Sequence, residues 1–247
     1  MKNHSRPVLL LLVIIIQTAC VRMKAAGNGN TQTLPYRYVN TLKTSSSDES
    51  RCLYFDHNGL MWIGTSSGLK LFDGYNIHTF KSTVSSPGLL PHNTVLSITE
   101  DHKGMMWVGT RNGLVRIDPH TWKTKRYPVL NNKSWVIYTL FTSRDGTVWM
   151  GNDAGLSRYV PENDTFCNYS GAKTWVTDID GKKRVLGSYS VKSIVDDAKG
   201  NIYIGTWDCG LLRLNRKTGN IVRYPKINNQ NSAYSLFFDS RNRLWVG

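Results

Sequence analysis

The sequence predicts an all-β fold, a β-propeller of four-stranded blades, and three observations support this. First, one short pattern recurs five times around an aromatic anchor: Trp62, Trp107, Trp149, Tyr203 and Trp245. Second, these anchors are 45, 42, 54 and 42 residues apart. Third, short apolar runs alternate with turn residues and do not follow helical spacing. A period of about 40–45 residues that holds four short strands is the signature of a propeller blade.

The second copy of the repeat shows how a blade is divided. The turn Asp101-His-Lys-Gly104 follows its first strand, and Arg111-Asn-Gly113 follows its second. Glycine tolerates the positive φ that such turns need. The four strands are predicted over Val95–Thr99, Met106–Thr110, Leu114–Asp118 and Lys123–Tyr127. We expect four blades and the start of a fifth, near 51–80, 95–127, 136–169, 191–224 and 233–247.

The anchoring aromatic residues are interpreted as packing residues. A glycine stands two positions after each of them, as Gly64 does after Trp62, where a larger side chain would block close packing. We therefore expect Trp62 and its equivalents to wedge between neighbouring blades. Aspartates in the preceding turn are interpreted as turn formers, since a carboxylate there accepts hydrogen bonds from nearby backbone N–H groups. They are Asp56, Asp101, Asp145, Asp197 and Asp239.

Residues 1–26 are predicted to be a signal peptide. Basic residues precede the apolar run Val8–Ile16, which is too short for a stable membrane span but fits a secretory h-region. Two cleavage sites stay open: Ala19-Cys20, which would allow lipidation, and Ala25-Ala26, which suits ordinary export and is favoured. Residues 27–50 then form a lead-in segment, and 51–247 form an incomplete propeller.

Composition and motifs exclude several functions. The formal net charge is +14, which could attract an anionic partner, but the basic residues form no cluster with stacking aromatic residues, so nucleic acid is not expected. The sequence contains neither a nucleophile elbow nor a phosphate-binding loop. Cys52, Cys167 and Cys209 form no close pair, and the histidines lack metal-ligand spacing. We predict no catalytic residue, metal or cofactor.

The repeat resembles a known family. Its pattern, Asp-x-x-Gly-x-x-Trp-[Ile/Val]-Gly-Thr-x-x-Gly-Leu-x-x-[Phe/Ile]-Asp, is similar to the two-component regulator propeller repeat from about residue 51 to 247. The segment Gly68-Leu-Lys-Leu-Phe-Asp-Gly-Tyr75 resembles the first blade of the exported sensor region in hybrid two-component systems of Bacteroidetes-type bacteria.

The resemblance implies a larger protein. In that family two seven-bladed propellers precede a β-sandwich, one membrane helix, a histidine kinase, a receiver and often a DNA-binding domain. The expected partners are therefore an oligosaccharide ligand, a second propeller and the β-sandwich of the same chain, and a second copy in a homodimer. The location implied is the periplasmic side of the inner membrane, and the chain is expected to be an N-terminal piece.

Departures from the repeat indicate candidate ligand residues. The fourth copy has one extra residue in its turn Trp207-Asp208-Cys209, and a long polar insertion, Ser170–Tyr189, precedes it. In a propeller, the turns between second and third strands share one face with the connections between blades, where function is usually placed. A tryptophan beside charged residues suits a sugar. The candidate ligand-binding residues are Trp207, Asp208, Arg111, Trp175 and Trp135.

Two functions follow. The favoured one is a periplasmic sensor module without catalytic activity, whose ligand biases a kinase absent from this chain. The alternative is a secreted propeller enzyme, such as a lyase, with a polar site in the central channel.

Overall fold

The computed structural model describes residues 48–83, 88–127, 136–169, 174–186, 189–224 and 231–247. All regular secondary structure in these ranges is β-strand, and no helix there is long and apolar enough to cross a membrane. The predicted signal peptide over 1–26 and most of the lead-in, up to residue 47, lie outside the described residues.

The first three blades are antiparallel sheets whose strands neighbour one another in chain order. The first blade contains β1 (Ser50–Phe55), β2 (Met61–Thr65), β3 (Gly68–Phe72) and β4 (Ile77–Phe80). The second contains β5 (Val95–Glu100), β6 (Met106–Thr110), β7 (Gly113–Ile117) and β8 (Thr124–Tyr127). The third contains β9 (Thr139–Thr142), β10 (Val148–Asn152), β11 (Gly155–Val160) and β12 (Thr165–Asn168). The strands predicted for the second blade are confirmed to within one residue.

The remaining strands form a fourth blade, a hairpin and a two-stranded fifth unit. The hairpin contains β13 (Thr174–Asp178) and β14 (Lys183–Leu186). The fourth blade contains β15 (Val191–Asp196), β16 (Asn201–Thr206), β17 (Leu211–Asn215) and β18 (Ile221–Tyr224). The fifth unit pairs β19 (Leu236–Phe238) with β20 (Leu244–Val246). First strands of successive blades contact one another, from β1 through β5, β9 and β15 to β19, so each blade packs against the next and the predicted propeller architecture is confirmed.

The long insertion extends the fourth blade and is not a loop throughout. Strand β13 pairs in parallel with β18, the last strand of that blade, with Val176 opposite Ile221. Val176 is buried while its neighbour Trp175 is exposed, the alternation expected of a strand with one face packed. The hairpin satisfies the backbone groups along the edge of β18. Our interpretation of Ser170–Tyr189 as a connecting loop on the candidate face therefore needs correction for residues 174–186.

The turn between first and second strands fixes the anchoring ring. In the first blade the Asp56 carboxylate accepts hydrogen bonds from the Asn58 backbone N–H at 3.0 Å and the Trp62 indole N–H at 2.9 Å. The same indole bond recurs in the second blade at 2.8 Å and in the fifth at 3.0 Å. One carboxylate thus stabilises the turn and orients the ring that follows it.

The third blade departs from this arrangement. Its turn begins at Ser143, whose hydroxyl accepts the Trp149 indole N–H at 3.2 Å. Asp145 occupies the same turn and bonds Ser143 and Thr147, but it also forms an ion pair with Arg216 of the fourth blade. The prediction that Asp145 is a turn former is therefore incomplete, because Ser143 holds the indole and Asp145 links two blades.

The apolar cores lie between blades. One cluster joins Trp62 to Val95 and Ile98 of the second blade, and the equivalent clusters surround Trp107 and Trp149. All three tryptophan side chains are fully buried. The prediction that the anchoring residues wedge between blades is confirmed for these three, whereas Trp245 is 54% exposed and does not follow it.

The glycine after each anchor is required by close packing. A Cβ atom on Gly64 would lie 2.7 Å from Val95 of the next blade, and one on Gly109 would lie 2.7 Å from Ile137. Any side chain would therefore force the blades apart. This confirms the role that the sequence predicts for the repeat glycine.

Polar contacts also join the turns to the following blade. The backbone N–H of His57 donates to Glu100 Oε2 at 2.9 Å, and the His57 ring contacts the same carboxylate. The backbone N–H of Arg144 makes the corresponding bond to Asp196 at 2.9 Å. His57 is thus part of the interface between the first and second blades.

Candidate functional site

One face of the blades gathers the turns between second and third strands and the segments that lead into first strands. The Arg111 backbone N–H donates to the Thr94 carbonyl at 3.0 Å, and the Trp207 N–H donates to the Ser190 carbonyl at 2.9 Å. Hydrogen bonds also cross from one blade to the next, as from the Ile137 N–H to the Thr110 carbonyl at 3.0 Å. The face predicted from propeller topology is therefore confirmed.

A β-bulge displaces one residue of the first strand at this face. In the fourth blade Val191 pairs with Thr206 and Ser193 with Gly205, which leaves Lys192 as the extra residue. A bulge re-aims a side chain and often lies beside a functional site. By register, the bulge positions of the five blades are occupied by Arg51, Leu96, Tyr138, Lys192 and Tyr234.

The bulge residue of the third blade belongs to a polar network. The Tyr138 hydroxyl donates to Asp153 Oδ2 at 3.1 Å, and the Ser190 hydroxyl donates to Asp153 Oδ1 at 2.6 Å. Burial, and then the bond to Asp153, raises the pKa of Tyr138. The network joins the third blade to the start of the fourth.

Lys192 lies between the Tyr138–Asp153 network and Trp207. Its Nζ atom lies 3.1 Å from the Tyr138 ring centroid, 5.2 Å from the Trp207 ring centroid and 3.9 Å from Asp153 Oδ1. Partial burial lowers the pKa of Lys192, although the charges of Asp153 and Asp208 oppose that shift. An ammonium group held over aromatic faces is a cation–π arrangement.

Trp207 and Tyr234 form the aromatic side of the group. Their ring centroids are 5.1 Å apart, with planes at 65°. Trp207 is 56% exposed and Tyr234 is 47% exposed, so both rings are open to a ligand. We call Tyr138, Asp153, Ser190, Lys192, Trp207 and Tyr234 the bulge cluster.

The bulge cluster has the groups needed to bind a polar ligand. It combines exposed aromatic faces with hydroxyl, carboxylate and ammonium groups, the set that recognises a polyhydroxylated ring by stacking and hydrogen bonding. Among the described residues, no group of His, Cys, Asp and Glu side chains has the arrangement of a metal site.

The predicted ligand residues are distributed over three places. Trp207 and Asp208 lie at the bulge cluster, and the charge of Arg111 acts on Tyr138 at its border. Trp175 lies on β13, outside the outermost strand of the fourth blade, where it lines a shallow pocket with Thr177. The pocket also contains Lys183, Asn220 and Ile221. Trp135 lies outside the described residues.

Sequence reasoning missed Tyr138, Ser190, Lys192 and Tyr234. One signal was present, because the fourth copy reads Val191-Lys192-Ser193 where the second reads Val95-Leu96-Ser97. The signal was weak, because the same position also holds a basic residue, Arg51, in the first blade. That these residues meet depends on the bulge register of separate blades.

Part of the repeat matches a known family model. The family model for the two component regulator propeller matches residues 44–67 and 89–112. The chain therefore carries two component regulator propeller repeats, and the resemblance drawn from the sequence is confirmed. The comparison with curated protein sequences found no significant match.

Solved structures share the fold at low sequence identity. The extracellular domain of the hybrid two component system BT3049 from B. thetaiotaomicron is 20% identical with a TM-score of 0.51, over 86% of this chain and 34% of that one. PorZ, a surface component of the type-IX secretion system of Porphyromonas gingivalis, is 16% identical with a TM-score of 0.59, over 80% and 30%.

An enzyme also shares the fold. Virginiamycin B lyase from Staphylococcus aureus is 13% identical with a TM-score of 0.56, over 83% of this chain and 71% of that one. At these identities the likeness concerns the fold alone. The chain spans about a third of the length of the sensor domains that it matches.

Proposed function

We propose that this chain is the exported, ligand-sensing propeller module of a two-component sensor and that the bulge cluster binds an oligosaccharide. The proposal is supported by the repeats of two-component regulators and by the fold shared with extracellular sensor domains. The single observation that carries it is the convergence of Trp207, Tyr138 and Lys192 with a carboxylate on one exposed face.

The chemistry of the bulge cluster favours a sugar. The exposed face of Trp207 offers a stacking surface, and Asp153 already accepts two hydroxyl hydrogen bonds from protein groups, which a sugar hydroxyl could join or replace. Lys192 and Asp208 contribute both signs of charge, so the cluster favours no particular net charge of the ligand.

The location of the bulge cluster supports a sensing role. Its residues belong to the third blade, the fourth blade and the segment before β19, so a ligand that bridges them alters how neighbouring blades pack. A ligand shifts an equilibrium only by its differential affinity for two states. We propose that the packing of this module against other parts of a longer, membrane-anchored sensor is the equilibrium that the ligand shifts, with a histidine kinase as the output.

Binding is tested by calorimetric titration of the chain with a panel of oligosaccharides. Once a binder is found, Trp207→Ala and Asp208→Ala are each expected to weaken it by about 1–3 kcal/mol, the scale of one stacking or charged contact. Thermal stability should change little, because both side chains are exposed. Trp175→Ala is the matched control, since that side chain is equally exposed but lies on the outer hairpin. Unchanged affinity in both Trp207 and Asp208 variants would remove the site from this face.

The same titration separates sensing from the alternative, a lyase-like enzyme. A sensor returns its ligand intact after prolonged incubation, whereas an enzyme forms a product that chromatography detects. Product formation that is lost on substitution within the bulge cluster would replace the sensing proposal by an enzymatic one.

A further inference from the structure

One position in the turn between third and fourth strands is equivalent in three blades. In the second, third and fourth blades the turn contains a residue with left-handed backbone: Trp122 (φ 59°), Asp164 (φ 47°) and Gly219 (φ 72°). Each follows by six positions an arginine that pairs with the anchoring aromatic residue of its blade. Those arginines are Arg116, Arg158 and Arg213.

The side chain at this position reaches back to the preceding blade. Trp122 stacks on Phe80 of the first blade with ring centroids 4.6 Å apart. Asp164 accepts a hydrogen bond from Tyr127 of the second blade at 2.6 Å and forms an ion pair with Arg116 at 3.3 Å. Lys125 of the second blade contacts the same carboxylate. A side chain of this turn thus fills the interface with the preceding blade. In the second blade it is the aromatic ring of Trp122, and in the third blade it is the carboxylate of Asp164.

The fourth blade has no side chain at this position. A Cβ atom on Gly219 would meet no heavy atom within 4 Å. Lys217 of the same turn lines a cleft of about 260 Å³ together with Arg158 and Tyr169 of the third blade. By register, Arg158 and Tyr169 are the counterparts of the Asp164 partners Arg116 and Tyr127. The fourth blade contributes Lys199, Gly200, Arg216 and Lys217.

The cleft carries an excess of positive charge. Arg216 is paired with Asp145, but within the described part of the chain no carboxylate forms an ion pair with Arg158, Lys199 or Lys217. The Nε atom of Arg158 is buried without a hydrogen-bond partner, an arrangement that costs free energy unless a partner is supplied.

We propose that the cleft between the third and fourth blades binds a small oxyanion, a carboxylate or sulfate group, in the place that the Asp164 carboxylate takes one blade earlier. Guanidinium and ammonium groups together with a tyrosine hydroxyl form a suitable donor set. The site is separate from the bulge cluster, because its turns lie at the opposite end of the strands from Trp207. The inference does not depend on the sensing proposal.

The first test supplies the carboxylate from within the chain. The full chain is titrated with sodium sulfate against sodium chloride at equal ionic strength, and saturable sulfate binding is expected. Gly219→Asp should weaken that binding by about tenfold or more, because the new carboxylate competes for the same donors. Gly219→Asn is the matched control: asparagine tolerates the left-handed backbone without adding charge, and should retain most of the affinity. Undiminished binding by Gly219→Asp, or no saturable binding by the unchanged chain, overturns the proposal.

The second test separates a site from a general charge effect. Lys199 and Lys103 occupy the same exposed position of the first turn in two blades, and each backbone N–H bonds the turn aspartate at 2.9 Å. Lys199→Gln should weaken sulfate binding about two- to fivefold, whereas Lys103→Gln should leave it unchanged. Equal losses in both variants would assign the effect to net charge alone and contradict the proposal.

Three further titrations distinguish a free oxyanion from one that is carried on a sugar. Acetate tests a free carboxylate, glucuronate tests a carboxylate on a sugar, and glucose is the neutral control. Binding of acetate and glucuronate with equal affinity assigns recognition to the anionic group. Tighter binding of glucuronate assigns part of it to the sugar, and binding of glucose equal to that of glucuronate contradicts an anion site. Near-ultraviolet circular dichroism checks that each variant keeps its tertiary packing.

Discussion

Two interfaces between blades are built alike but differ in how their positive charge is balanced. One lies between the second and third blades, and the other lies between the third and fourth. At the first, Asp164 gathers Arg116, Lys125 and two tyrosine hydroxyls around one carboxylate. At the second, glycine takes that position and basic side chains line a cleft. The repeat thus determines the scaffold, while one turn residue per blade determines how each interface is filled. A side chain of the turn, Asp164, closes the first interface, and glycine at the same position leaves the second open to a ligand.

At both interfaces an arginine lies over the ring of the anchoring tryptophan. Arg116 lies 5.4 Å from the Trp107 ring centroid, and Arg216 lies 5.6 Å from the Trp149 ring centroid. Arg116 belongs to the same blade as its tryptophan, whereas Arg216 comes from the next blade. The cation–π contact is thus retained, although a turn of the next blade and not a strand of the same blade supplies the cation.

The largest expected effect is at the anchor of the closed interface. Trp107→Ala should lower the free energy of unfolding by about 3–5 kcal/mol, because it removes a fully buried ring that packs on Tyr127 and Tyr159. Urea titration followed by far-ultraviolet circular dichroism measures it. Trp245→Ala is the control, because that ring makes the same aspartate bond but is 54% exposed and should cost much less. Equal losses would mean that burial between blades is not what anchors the repeat.

A smaller effect is expected when the closed interface is opened. Asp164→Gly should destabilise the chain by about 1–3 kcal/mol, since it leaves Tyr127, Tyr159 and Arg116 without their shared acceptor. If the comparison is correct, sulfate should recover part of that stability at constant ionic strength. The unfolding midpoint with and without sulfate measures both effects. An equal loss of stability in the two salts would contradict the proposed equivalence of the two interfaces.

The contribution of Asp164 should also depend on pH. Burial alone would raise its pKa, but hydrogen bonds from Lys125, Tyr127 and Tyr159 outweigh burial and lower the pKa below the usual aspartate value. A lowered pKa stabilises the folded state above about pH 3.9 and loses that contribution as pH falls through the folded value. The stability difference between the unchanged chain and Asp164→Asn should therefore shrink as pH falls below about 4. A difference that stays constant down to about pH 2 would contradict the assigned role.

The smallest effect concerns thiol reactivity and leaves stability unchanged. Cys167 is exposed and occupies, at the open interface, the strand position that Lys125 occupies at the closed one. Burial raises the pKa of Cys52 to about 12 and that of Cys209 to about 11. At pH 8 we expect iodoacetamide to modify Cys167 before Cys52 and Cys209, because the thiolate is the reactive form. Peptide mass spectrometry over time gives the order, and faster labelling of Cys52 would contradict the burial described.

Much of the fold could be predicted because its determinants are local and periodic. The turn aspartate, the anchoring tryptophan and the glycine two positions later recur together, and each acts through neighbours in its own hairpin or through the same place in the next blade. The candidate site was only partly predictable. Trp207 and Asp208 break the repeat and are visible as departures, but Tyr138 and Tyr234 resemble ordinary strand residues until the bulge register places them beside Lys192.

The sequence by itself determined the propeller repeat, the buried role of Trp62, Trp107 and Trp149, and the face on which blade connections gather. Only the tertiary structure decided that residues 174–186 pair with β18, that Ser143 takes the role of the turn aspartate, and that Gly219 opens a cleft which Asp164 closes one blade earlier. The physical reason is range. Hairpin turns and strand alternation act over a few residues, whereas the pairing of β13 with β18 and the cleft beside the Gly219 turn join residues that lie about 40 or more positions apart in the chain. The bond between Ser143 and Trp149 is local, but it uses a different residue type from the repeated aspartate.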